Sequence, residues 1–202
     1  MFSGFTDIAG NYSLSNYPGG DASYLSGVND NGQLVGSYAA NGYTFDGTTY
    51  TTIDVPGAAS TQAIGINNSG TVVGVYTAGS YLYHGFMYAN GIYTLIDFPN
   101  ATATDVRGIN NEGQIVGSYM DSNGVYHGFL DIGGIFTSFD APGATSTFAS
   151  GINDKGQIVG DFTDAGHAGH GFIGQIETPE PSSLALLAIG GATLVLRRRK
   201  RV

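Results

Sequence analysis

The sequence predicts an all-β protein: a propeller-like repeat array of four-stranded antiparallel modules, with a hydrophobic helix at its C-terminal end. Three observations predict it. The segment Gly108-Ile-Asn-Asn-Glu-Gly-Gln-Ile-Val-Gly117 recurs in closely similar form at Gly27–Gly36, Gly65–Gly74 and Gly151–Gly160, with starts 38, 43 and 43 residues apart. Two further blocks keep step with it. One, typified by Tyr93-Thr-Leu-Ile-Asp-Phe-Pro, opens fifteen residues before each Gly-Ile/Val-Asn segment, at Tyr12, Tyr50, Tyr93 and Phe136; the other, His-Gly-Phe, begins at His84, His127 and His170. Finally, 33 Gly, 13 Tyr and 11 Phe among 202 residues, with only 11% charged, suit short strands joined by glycine turns with aromatic rings between sheets.

The third module shows each element. Its four strands are expected at Thr104–Asn110, Gln114–Met120, Val125–Ile132 and Ile135–Ala141, all short, rich in β-branched or aromatic residues and bounded by Gly, Asn or Pro. Asn and Gly between the first two tolerate positive φ, which a tight hairpin needs. Pro after the fourth strand ends pairing because it has no amide to donate. Four strands in about 43 residues match the length of one propeller blade; an open β-array is the alternative.

The ends are out of phase with the modules. Met1-Phe-Ser-Gly-Phe-Thr-Asp-Ile8 aligns with Val125–Ile132, so the chain begins on a third strand, while Gly151 to about Gln175 supplies only three strands. A strand near Tyr12–Tyr17 is therefore expected to complete the last module and close a four-bladed ring. The mid-module start, together with the lack of a charged and then apolar leader in Met1–Gly20, predicts further sequence upstream, including a signal peptide. In the first module the His-Gly-Phe block reads as Tyr43-Thr-Phe45.

The tail departs from the modules in composition. Ser182 to Leu196 is uncharged and mostly apolar, and Arg197, Arg198, Arg199, Lys200 and Arg201 follow at once. As a helix this run extends about 22 Å, slightly short of a bilayer core, with the cations held on the cytoplasmic side. Elsewhere the chain is acidic: through residue 178, Arg107 and Lys155 are its only cations against thirteen Asp, Glu112 and Glu177. Such a surface repels phosphate backbones, which excludes nucleic acid as a partner. Without Cys there are no disulfides and no thiolate metal sites.

Pro179-Glu180-Pro181, the short apolar run and the basic end closely resemble the PEP-CTERM sorting signal of bacterial exported proteins. That resemblance implies an exosortase as processing partner, a precursor held in the membrane by the C-terminal helix, and delivery to the cell surface or a biofilm matrix. The modules resemble HAF-repeat proteins, described as extracellular, over residues 1–176; that family brings no biochemical activity with it. The chain thus divides into a β-repeat domain at 1–176, a linker with the sorting motif at 177–181, and a transmembrane helix with basic tail at 182–202.

Catalytic, metal and cofactor sites are not expected. His84, His127 and His170 share one module position, and residues that repeat with a module mainly serve its packing; each ring is expected to bond a neighbouring loop. His167 and His170 lack a third ligand for a metal. Asp54, Asp97 and Asp140 are also equivalent, with Asn16 in the first copy, and are expected to cap the following turn, since acid–base pairs need unlike environments. The leading expectation is a non-enzymatic surface or matrix protein. A carbohydrate-binding propeller, with extracellular polysaccharide as ligand, would show rows of exposed aromatics, and a glycan-acting enzyme would show non-equivalent carboxylates in one cleft.

Overall fold

A computed structural model describes residues 4–8, 11–15, 23–79, 81–177 and 193–197, with only the backbone at 4–8, 11–15, 177 and 193–197. Four antiparallel four-stranded sheets follow one another, preceded by a two-stranded hairpin. The hairpin is β1 (Gly4–Ile8) and β2 (Asn11–Ser15). Module 1 is β3 (Ser23–Val28), β4 (Leu34–Tyr38), β5 (Asn41–Phe45) and β6 (Tyr50–Ile53). Module 2 is β7 (Ser60–Ile66), β8 (Val72–Thr77), β9 (His84–Ala89) and β10 (Ile92–Ile96). Module 3 is β11 (Ala103–Ile109), β12 (Ile115–Met120), β13 (Tyr126–Ile132) and β14 (Ile135–Phe139). Module 4 is β15 (Ala144–Ile152), β16 (Gln157–Asp164), β17 (Gly169–Glu177) and β18 (Thr193–Arg197).

Two sequence blocks turn out to be halves of one packing unit. Gly74, Gly117 and Gly160 of the second strands pair directly with Phe86, Phe129 and Phe172 of the third. A Cβ on any of these glycines would run into a first-strand carbonyl oxygen and the aromatic ring across from it. The bare glycine lets the ring lie flat over the sheet, so Val-Gly and His-Gly-Phe must recur together. Gly36 pairs with Tyr43 in the same way. The first-module counterpart of His-Gly-Phe is therefore Asn41-Gly42-Tyr43, not Tyr43-Thr-Phe45, because the ring that covers the glycine sets the register.

Apolar packing joins neighbours rather than filling one centre. One cluster runs from Val35 and Ile53 of module 1 to Val72 and Phe86 of module 2. A second joins Val73 and Ile96 to Val106 and Phe129, and a third joins Val116 and Leu130 to Ile158 and Phe172. Buried Thr61, Thr104 and Thr147 fasten the same boundaries: each Oγ1 accepts from the amide of Val55, Phe98 or Ala141, which follow the preceding fourth strand, at 3.0 Å. Each module thus buries its surface against the next, as in a repeat array.

The expected ring closure is not formed. β2 pairs with β1, and the outer edge of β17 pairs with β18, so the array is open among the described residues. The tail also departs from expectation where it is described: Thr193–Arg197, placed in the helix by its apolarity, is a strand. The physical reason is local, since Thr-Leu-Val-Leu suits a pleated ladder and β17 offers unpaired amides and carbonyls. Residues 182–192 and 198–202 of the expected helix lie outside the described residues. No helix among the described residues is long and apolar enough to cross a membrane.

Candidate functional site: turn ladder and inner concavity

The Gly-Ile-Asn-x-x-Gly turns do two jobs. Within each turn the first Asn side chain accepts from two amides; Asn110 Oδ1 accepts from Glu112 and Gln114 at 3.1 and 2.9 Å, and Asn29, Asn67 and Asn153 repeat this. Gly32, Gly70, Gly113 and Gly156 close the turns at φ of 76, 79, 77 and 70°, a conformation glycine adopts without strain. Between modules the Asn side chains form a ladder. Asn29 Nδ2 donates to the Asn67 carbonyl at 2.9 Å, Asn67 to that of Asn110 at 3.2 Å, and Asn110 to that of Asn153 at 3.1 Å. A second rail runs beside it, with the amides of Asp30, Asn68 and Asn111 donating to the side chains of Asn68, Asn111 and Asp154.

Just before each ladder glycine the first strand carries a bulge. Register shifts between Leu25/Gly27, Ala63/Gly65, Val106/Gly108 and Ala149/Gly151 leave Ser26, Ile64, Arg107 and Ser150 unpaired, and a bulge re-aims its side chain. All four line one concavity of about 500 Å³, together with Asp105, Ser118, Phe148, Ala149 and Asp161. Four equivalent positions from four modules therefore face a common space.

The residues there are not equivalent. Asp105 stands where the other modules have Tyr24, Gln62 and Phe148; Arg107 where they have Ser26, Ile64 and Ser150; Asp161 where they have Ser37, Val75 and Ser118. Arg107 Nη2 donates to Asp105 Oδ2 at 2.6 Å, while Asp105 Oδ1 is buried with no partner among the described residues. Burial pushes the Asp105 carboxyl above the usual carboxylate range, and the Arg107 guanidinium opposes that rise. Asp161 is exposed. Sequence reasoning that followed the repeat passed over Asp105 and Asp161 because their signal is a break in the repeat. Exposed Tyr24, Tyr81 and Tyr83 do not line this concavity.

The repeating histidines have defined partners. His84 Nδ1 lies 3.2 Å from Asp97 and His127 Nδ1 2.9 Å from Asp140, each aspartate directly following the fourth strand paired to that histidine's strand. These carboxylates do not cap the Pro-Gly turn as expected; the turn closes through its own backbone, with the amides of Ala58, Ala101 and Ala144 donating three residues back. His170 lacks such an aspartate and turns to Asp164 at 2.8 Å, which holds the Asp164 carboxyl below its usual range. His167 is a turn residue at φ 63°. No group of three or more His, Asp or Glu side chains gathers as a metal site among the described residues.

Pro179, Glu180, Pro181, Arg198, Arg199, Lys200 and Arg201 lie outside the described residues, and Arg197 ends β18 opposite Ile173. Residues 177–200 match the PEP-CTERM protein-sorting motif. That motif marks an exported protein that an exosortase processes from a membrane-anchored precursor. No curated protein matches the chain.

Proposed function

We propose that this is a non-enzymatic protein of the cell surface or biofilm matrix, displayed or released by exosortase processing, in which the modules form a binding and structural array. The sorting motif at 177–200 carries the reading. The resemblance of the modules to HAF-repeat proteins supports it, and so does the ladder, which turns four small sheets into a continuous body. In a host with its exosortase, the wild-type chain is expected to lose its tail and leave the inner membrane. A variant with Pro179, Glu180 and Pro181 all replaced by Ala is expected to stay membrane-bound at full length. Equal processing of both chains, followed by immunoblot of cell fractions, refutes the reading.

The concavity favours carbohydrate as ligand. Phe148 offers an apolar ring face, while Asp105, Arg107, Asp161 and the serines offer donors and acceptors around it. Asp105 is engaged by Arg107, an arrangement suited to holding hydroxyls rather than transferring protons. On a glycan array, Arg107→Ala and Asp161→Asn are each expected to weaken binding by roughly tenfold or more, as for a charge-assisted hydrogen bond. Binding unchanged in both variants excludes the concavity. Sugar release abolished by Asp105→Asn replaces binding by hydrolysis as the function.

A further inference from the structure

Asp161 is a carboxylate that the repeat does not call for. The second-strand position it fills in module 4 holds Ser37, Val75 and Ser118 in the others. It lines the concavity, is exposed, and has no cation partner among the described residues. The other carboxylate there, Asp105, is already engaged: Arg107 Nη2 donates to its Oδ2, and its Oδ1 is buried. Asp105 and Arg107 therefore offset each other's charge, and the concavity keeps one uncompensated negative charge, that of Asp161.

An aromatic ring stands directly beside that charge. Phe148 of β15 is paired with Asp161 of β16, and directly opposed residues project from one face of a sheet with Cβ atoms about 4.5–5.5 Å apart. Both line the concavity, the Phe148 ring half-buried against Tyr126 at a centroid distance of 5.0 Å. In modules 1, 2 and 3 the same cross-strand pair reads Tyr24–Ser37, Gln62–Val75 and Asp105–Ser118. Module 4 alone sets a ring next to a carboxylate. The carboxylate attracts a cation by its charge and the ring face by its quadrupole, so the pair suits an ammonium group. Anionic ligands meet the opposite field. Arg107 is taken by Asp105, and Lys155 is the only other cation of residues 1–178 against thirteen Asp and two Glu.

We propose that the concavity selects a sugar with a free amino group, and hence a polysaccharide carrying amino-sugar units that are not acetylated. The sugar ring stacks on Phe148, its ammonium donates to Asp161, and Ser26, Ser118 and Ser150 meet its hydroxyls. The proposal rests on the carbohydrate reading of the concavity and narrows it. Acetylation removes the charge from the nitrogen and leaves an amide N–H, a donor roughly half as strong. An acetylated chain is therefore held less tightly by the same residues rather than rejected.

Calorimetric titration of the full chain at about pH 6, where a sugar amine keeps its proton, tests this with three ligands. They are a glucosamine tetrasaccharide, its fully N-acetylated counterpart and tetralysine. The glucosamine chain is expected to bind roughly tenfold more tightly than the acetylated one, the difference between a charge-assisted and a neutral hydrogen bond. Asp161→Asn is expected to bring the glucosamine chain to the affinity of the acetylated chain, and to leave the acetylated chain and tetralysine unchanged. Glu112→Gln, outside the concavity, is expected to change none of the three. Equal binding of the two tetrasaccharides by the wild type overturns the proposal and leaves the carbohydrate reading standing. A preference that persists in Asp161→Asn overturns it too, because the general acidity of the surface then accounts for it. Loss of tetralysine binding in Asp161→Asn, to the same degree as loss of the glucosamine chain, overturns the assignment to a sugar in favour of any amine. Binding of neither tetrasaccharide overturns the proposal, and the glycan array then decides whether the broader reading falls with it. Circular dichroism of Asp161→Asn separates lost binding from lost fold.

Discussion

Gly117 and Gly151 show how unlike two glycines of one repeat are. A Cβ on Gly117 would meet the Asp105 carbonyl oxygen, and the Phe129 ring at 2.9 Å; on Gly151 it would meet only Val159 at 3.7 Å. Gly117→Ala is therefore expected to destabilise the protein by about 3 kcal/mol, since neither the backbone nor the buried ring gives way easily. Gly151→Ala is expected to stay within about 1 kcal/mol of wild type. Urea denaturation of the pair checks this, and equal losses would sink the packing account of Val-Gly. Asp105 and Asp161 belong to the same scale. They were not legible from the repeat, because a repeat draws attention to what recurs, and these residues differ from their counterparts.

At the scale of elements, the four-strand module was legible almost to its boundaries: Thr104–Asn110 was expected and Ala103–Ile109 found, Ile135–Ala141 expected and Ile135–Phe139 found. Local chemistry sufficed there, because Asn, Gly and Pro mark where ladders must stop. The bond from one turn to the next was not legible, since Asn110 is equally suited to a hairpin that touches nothing. Its side chain accepts two amides in its own turn and donates to Asn153 in the next. Asn110→Ala is expected to cost roughly 2–3 kcal/mol, the loss of several buried hydrogen bonds. Asn153→Ala, exposed and at the end of the ladder, is expected to cost about 1 kcal/mol less. Equal midpoints for the two variants in thermal melts would refute a load-sharing ladder.

For the whole molecule, stability is a sum over neighbouring boundaries. The three apolar clusters and the buried threonines all lie before the sorting motif. Removing residues 178–202 is therefore expected to leave the thermal midpoint within about 2–4 °C of the full chain, the shift that about 1 kcal/mol gives a domain of this size. A collapse of the midpoint would show that β18 is part of the fold rather than a removable cover. Export and folding are compatible on this account, because the three apolar clusters of the described residues all lie before residue 177.

The sequence by itself determined the modules, their strands, the acidic surface and the sorting motif. Each of these is written in local pattern: period, turn residues, charge and an apolar run next to cations. Only the tertiary structure decided which block covers which glycine, that the turns join into a ladder, that four bulges face one concavity, and that among the described residues β17 pairs with β18 rather than with β2. Those outcomes depend on strand register and on which edges find a partner, and a linear repeat looks the same whether its ends meet or stand apart.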